Sequence, residues 1–184
     1  MFQKLLKKTA RELSSQNIPY MVIGGQAVLL YGEPRLTKDI DITLGTGIDS
    51  LDKIKGIVES LNLRSLISDV DSFVQKTMVF PVIDEKSGIR VDFIFSFSHY
   101  EKQAIERANE IRLANVAVKF AALEDVVIHK IIAARARDIE DVRSILLKKP
   151  DYDFVYIEKW LTEFDKSLDE DFEKTFKEIV EQLR

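Results

Sequence analysis

Lys38-Asp39-Ile40-Asp41-Ile42-Thr43-Leu44 alternates polar and aliphatic side chains without a break. A period of two is the spacing of an extended strand, in which residues two apart share a face. Ile40 and Ile42 therefore point into a core, and Asp39 and Asp41 project together from the other side. Two carboxylates side by side on an apolar sheet repel each other unless a cation lies between them. An oxygen-rich set without thiolates suits Mg²⁺ or Mn²⁺. Solvent-facing strand acids or turn formers are the alternative, and the pair alone does not choose between them.

Composition narrows the setting. A chain of 184 residues fits one domain, or one small domain with a helical appendage. With 46% hydrophobic and 32% charged residues it has the balance of a globular protein. The absence of cysteine excludes disulfides, zinc–thiolate sites and cysteine nucleophiles. No apolar run approaches the roughly 20 residues that cross a bilayer, and the first eight residues lack a hydrophobic signal core. A cytoplasmic location without a membrane partner is expected. The net charge of −4 does not suggest a nucleic-acid binder. Residues 1–109 balance at 14 basic and 14 acidic, whereas 150–184 carry 5 basic and 11 acidic. That acidic end discourages a polyanionic acceptor.

The hydrophobic pattern predicts a helix over 2–15, a buried strand at Tyr20–Ile23, a short helix from Gln26 to Tyr31 and a strand from Asp39 to Leu44. A helix through Leu51, Ile54, Val58 and Leu61 follows, then strands over Phe73–Ile83 and Ile89–Phe95 joined by a turn at 85–88. Ser98 and Glu101 have capping-box spacing and open a helix to about Asn109, with a strand at Val116–Phe120 beyond it. From Leu123 onward the pattern is helical, interrupted near Pro150. The expected fold class is α/β (α+β): a mixed-sheet core over 1–122 and a helical region over 123–184 packed on it. The apolar stripe Ile157, Trp160, Leu161 and Phe164 needs a partner, as does Phe172, Phe176, Ile179 and Leu183.

Three further segments carry chemistry. Asp92 lies in the apolar strand Arg90-Val91-Asp92-Phe93-Ile94-Phe95, where an acid must be paired, hydrogen-bonded or ligating a metal. Arg90 shares its face and is the obvious salt-bridge partner. Beside the 39–44 strand, Asp92 would complete a three-carboxylate cluster able to hold two Mg²⁺ and to take a proton from an acceptor hydroxyl. Gly24-Gly25 opens a helix directly after a strand, so phosphates can approach the backbone and the helix N-terminus. Arg35, Thr37 and Lys38, just ahead of Asp39, either add phosphate contacts or form an ordinary polar loop. In the segment from Glu124 to Asp141, an unbroken helix would place Lys130, Arg137 and Asp141 on one face. Lys130 then either reaches triphosphate oxygens or joins helix salt bridges, Arg137 with Asp141 being the nearest pair. His99 and His129 have no nearby acid at ligand spacing and are set aside.

Strand–Gly-Gly–helix, then Thr37-Lys38-Asp39-Ile40-Asp41, then a lone Asp92 in a later strand resembles the nucleotidyltransferase superfamily of DNA polymerase β type. Ile23-Gly24-Gly25-Gln26-Ala27 looks most like its small bacterial and archaeal branch, which includes abortive-infection toxin nucleotidyltransferases. The 123–141 segment is similar to that branch's C-terminal motif, so the resemblance covers about residues 18–148. It implies metal binding by Asp39, Asp41 and Asp92, an NTP cradle at Gly24 and Gly25, and a triphosphate or catalytic role for Lys130. Asp138 falls where the toxin-like members place an acid, and Asp141 competes for that alignment. Much of the superfamily has Gly-Ser at the cradle, whereas Gly25 offers only its backbone. The implied activity moves a nucleoside monophosphate from an NTP to a hydroxyl of RNA, a small molecule or a protein. The competing class is a non-catalytic nucleotide-binding module or one component of a toxin–antitoxin pair, with a protein partner.

Overall fold

A computed structural model describes residues 2–96 and 98–183. Chain contacts divide it into two compact units, residues 1–26 with 36–121 and residues 27–35 with 122–184.

The first unit is built on a mixed seven-stranded sheet. Helix α1 (Phe2–Ser15) leads through Pro19 into strand β1 (Tyr20–Ile23), and β1 runs directly into helix α2 (Gly24–Tyr31), of which Gly24–Gln26 belong to this unit. Strand β2 (Asp39–Leu44), helix α3 (Leu51–Ser60), strand β3 (Arg64–Ser65), helix α4 (Val70–Thr77), strand β4 (Val79–Asp84), strand β5 (Ile89–Phe95), helix α5 (His99–Glu106), strand β6 (Asn109–Leu113) and strand β7 (Val116–Phe120) complete it. Their spatial order is β3-β4-β5-β2-β1-β7-β6. β2 lies parallel to β5 and β1 parallel to β7, and the other pairs are antiparallel.

The alternation in β2 and β5 works as the sequence suggests. Ile40, Ile42, Leu44, Val91, Phe93 and Phe95 are each at most 2% exposed and form one apolar face. Each such side chain stabilises the sheet by about 1.5–3 kcal/mol. A one-residue slip of either strand would put that whole set in water, so burial fixes the register. The β4–β5 turn is closed by Asp84, whose carboxylate accepts from Ser87 Oγ at 2.6 Å, and by Gly88 at φ +68°.

Two expectations in this unit are corrected. Residues 73–77 are not strand but the end of α4, capped by the Asp69 carboxylate accepting from Ser72 N–H and closed by Met78 at φ +59°. β4 begins only at Val79. Helix α5 stops at Glu106, and Asn109–Leu113 forms β6 against β7.

The second unit is helical: α6 (Leu123–Ala133), α7 (Ala136–Lys148), α8 (Phe154–Leu168) and α9 (Phe172–Gln182), with residues 27–35. Both apolar stripes find partners within it, as α8 packs on α9 and α6 contacts both. Ile157, Leu161 and Phe176 are fully buried. Among the described residues no helix is long and apolar enough to cross a membrane.

Candidate active site

The parallel pairing of β2 with β5 places Asp41 opposite Asp92 and Asp39 opposite Arg90. In register, paired residues of neighbouring strands point to the same side, about 4.8 Å apart. Asp39, Asp41, Arg90 and Asp92 therefore share the face turned away from the buried Ile40–Val91 layer. Asp39 is exposed and Asp41 and Asp92 are half-buried.

Asp41 is positioned from beneath by Gly24. That residue stands at φ +63°, and a Cβ added there would lie 1.9 Å from Asp41 Oδ2 and 2.8 Å from its Cγ. The glycine is thus required twice, by its left-handed backbone and by the carboxylate pressed against it. The first residues of α2 follow at once, and the leading N–H groups of a helix have no acceptor within it. The strand–glycine–helix turn and Asp41 accordingly form one structure. Gly25 is buried in this turn.

Arg90 is the counter-charge of the cluster. Its Nε donates to Asp92 Oδ1 at 2.7 Å. The guanidinium is held above its ordinary pKa, first by this hydrogen bond and then, against the opposing effect of burial, by the charges of Asp92, Asp39 and Asp41. Among the described residues no three His, Asp or Glu side chains stand together as a metal-binding group. The donor set still fits a hard divalent cation, because it offers carboxylate oxygens from adjacent strands on one face. The Arg90–Asp92 pair is the alternative that the sequence already offered for Asp92; that Arg90 faces all three acids follows only from the β2–β5 pairing.

Thr37 Oγ1 donates to the Asp39 carbonyl at 3.4 Å, and Lys38 is exposed beside it. Thr43, two residues beyond Asp41 on the same face, is 2% exposed, and its hydroxyl has no hydrogen-bond partner among the described residues.

A family model described as a nucleotidyltransferase of unknown function (DUF6036) matches residues 3–183. The chain belongs to that family. No protein of curated function matches it in sequence. Among solved structures, ANT(2'')-Ia in complex with adenylyl-2''-tobramycin is similar at 20% identity and TM-score 0.54, over 78% of this chain and 87% of that one. An antigenic nucleotidyltransferase-like protein from Paracoccidioides brasiliensis is similar at 16% identity and TM-score 0.54, over 78% and 74% of the two chains. JHP933 from Helicobacter pylori is similar at 17% identity and TM-score 0.53, over 96% and 86%. At these identities the likeness is one of fold.

In the second unit of this nucleotidyltransferase, Lys130 sits in an ion network. Its ammonium is 2.5 Å from Asp138 Oδ1 and 2.9 Å from Asp141 Oδ2, and the side chains of all three residues are at most 7% exposed. Arg135 adds a 2.5 Å contact to Asp138, and Arg35 binds Asp141 through both oxygens at 2.9 and 3.0 Å. Burial acts most strongly on Asp138 and favours its neutral form. Hydrogen bonds from Arg135 and Lys130, with their charges, outweigh it and hold the carboxyl below its ordinary pKa.

This geometry corrects the unbroken helix, since α6 ends at Ala133 and Ala134 turns left-handed at φ +51° before α7. Asp141 is bound by Arg35 and Lys130, and Arg137 is exposed. Both candidate acids, Asp138 and Asp141, contact Lys130. Neighbouring His129 is part-buried; burial and then the Lys130 charge push its pKa down to about 4.

Proposed function

We propose that this nucleotidyltransferase is metal-dependent and moves a nucleoside monophosphate from an NTP to a hydroxyl acceptor, releasing pyrophosphate. The observation that carries the proposal is the β2–β5 register, which sets Asp41 beside Asp92 with Asp39 two residues away on the same face. Asp39, Asp41 and Asp92 are the residues that would hold Mg²⁺ or Mn²⁺, and the ion when bound supplies charge neutralisation and orientation to the phosphates.

The chain's own groups divide the remaining work. Gly24 leaves room for the Asp41 carboxylate, and the N–H groups of Gly25 and Gln26 at the start of α2 face incoming phosphate oxygens. Thr37 and Lys38 flank that approach. The Asp92 carboxylate, once released from Arg90, accepts the proton of the acceptor hydroxyl. Lys130 remains a candidate for a triphosphate contact, and such a contact requires its pair with Asp138 or Asp141 to open.

The Gly24-Gly25 pair supports a place in the small Gly-Gly branch, where a toxin–antitoxin role with a protein partner fits. RNA ends, small molecules and protein side chains are all acceptor classes for this chemistry. A structure of similar fold contains adenylyl-2''-tobramycin, which makes small hydroxylated molecules the first acceptors to try.

The test is incubation with each α-labelled NTP, Mg²⁺ or Mn²⁺ and a panel of the three acceptor classes, reading pyrophosphate release and label transfer. Release by the wild type that disappears in Asp39→Ala is expected. Equal release by the variant would overturn the assignment, and nucleotide binding without release would favour a non-catalytic module.

A further inference from the structure

Lys4 and Lys8 lie one turn apart on α1, and both line a depression that Lys86 enters from the β4–β5 turn. The depression has a volume of about 250 Å³ and a partly apolar floor at Leu5 and Leu61. Its electrostatics run against the local structure. Like charges at i,i+4 destabilise a helix, and Lys4 stands in the first turn of α1, where the helix dipole disfavours a cation. A third ammonium converges on the same space. None of the three lysines forms an ion pair among the described residues. The one acid in the lining, Asp84, is occupied by the turn itself, accepting from Ser87 Oγ at 2.6 Å and from Lys86 N–H at 3.4 Å. The lining therefore carries three ammonium groups against one carboxylate, a net surplus of positive charge.

This depression is distinct from the three aspartates. Asp84 alternates with Phe80 and Val82, which pair with Phe93 and Val91 of the buried layer, whereas Asp92 pairs with Pro81 on the other side. The lysines thus flank the face of the sheet opposite to the acids. The lining contains no aromatic side chain on which a base could stack. Charge without a stacking surface selects a compact anion rather than a nucleobase.

We propose that Lys4, Lys8 and Lys86 form a second, phosphate-binding site, on the opposite face of the sheet from the carboxylate cluster. The phosphate group is either free or part of a nucleic-acid strand, and the two sources separate experimentally. Binding of inorganic phosphate and of a short single-stranded RNA is measured by calorimetry for the full chain. Two triple variants are compared with it: Lys4→Gln/Lys8→Gln/Lys86→Gln, and the charge-matched control Lys76→Gln/Lys102→Gln/Lys119→Gln.

The expected result is binding that falls at least about tenfold in the first triple and stays near wild type in the control, with the salt slope for RNA reduced by roughly one per lysine removed. A loss seen with inorganic phosphate identifies a free-anion site, and a loss seen with RNA alone identifies a strand phosphate. No binding of either anion by the wild type, or equal losses in the two triples, overturns the site. Neither readout requires turnover, so a failure here is separate from a failure of the nucleotidyl-transfer assay.

Discussion

Replacing Gly24 with alanine is a sharp perturbation of the β1–α2 turn, because two independent costs meet there. The backbone at φ +63° is left-handed, which costs an L residue about 1–2 kcal/mol. The new Cβ would also stand 1.9 Å from Asp41 Oδ2, so the carboxylate must retreat by about 1 Å to reach even the closest tolerated contact. A shift of that size at a reacting centre lowers turnover by about 100-fold. Gly88 supplies the control: its φ of +68° is equally left-handed, but a Cβ there meets nothing within 4 Å. Gly88→Ala should lose about 1 kcal/mol in urea unfolding and keep its activity. Gly24→Ala should lose at least as much stability and also its pyrophosphate release. Gly24→Ala retaining the activity of Gly88→Ala would refute the proposal that the reaction depends on the Asp41 carboxylate seated against this glycine.

Further outcomes follow from the charged groups. Lys130→Met leaves Asp138 and Asp141 partly uncompensated in a buried setting and should cost about 3 kcal/mol in urea unfolding, with Arg135 and Arg35 limiting the loss. The pKa of His129 is about 4 in the folded chain against 6.5 unfolded, so the unfolded state binds the extra proton first as pH falls. Its contribution is complete above the unfolded value and shrinks between 6.5 and 4, about 2 kcal/mol being lost by pH 5. Melting at pH 7 and pH 5 should show this drop, and His129→Gln should flatten it. Arg90→Gln removes the cation that competes for Asp92; as the pair is partly exposed, Mn²⁺ should bind no more than about 5-fold tighter, measured by titration.

What could be read in advance was whatever local periodicity controls. The alternation through Asp39–Leu44 and Ile89–Phe95 specified two strands and the face each acid would occupy, and the strand–Gly-Gly–helix pattern located the turn. Nothing local says that β2 and β5 are neighbours, since two strands and two α-helices intervene, so the meeting of Asp41 with Asp92 remained conditional. Residues 73–77 misled because Phe73 and Val74 suit a strand by propensity, while the Asp69 cap and the turn at Met78 decide for helix. β6 was hidden because Glu110 and Arg112 follow α5 as a charged surface would. The break after Ala133 carries neither glycine nor proline, and left-handed Ala134 gives no sequence signal. Arg35 and Asp141 are 106 positions apart, a separation at which local pattern contains no pairing information.

The most direct measurement is Mn²⁺ binding, followed by electron paramagnetic resonance in the presence of a non-hydrolysable NTP analogue. Wild type should take up Mn²⁺, and Asp41→Asn with Asp92→Asn should abolish that uptake while the chain stays folded by circular dichroism. Wild-type Mn²⁺ affinity in the folded double variant would contradict the joint role of these two strands.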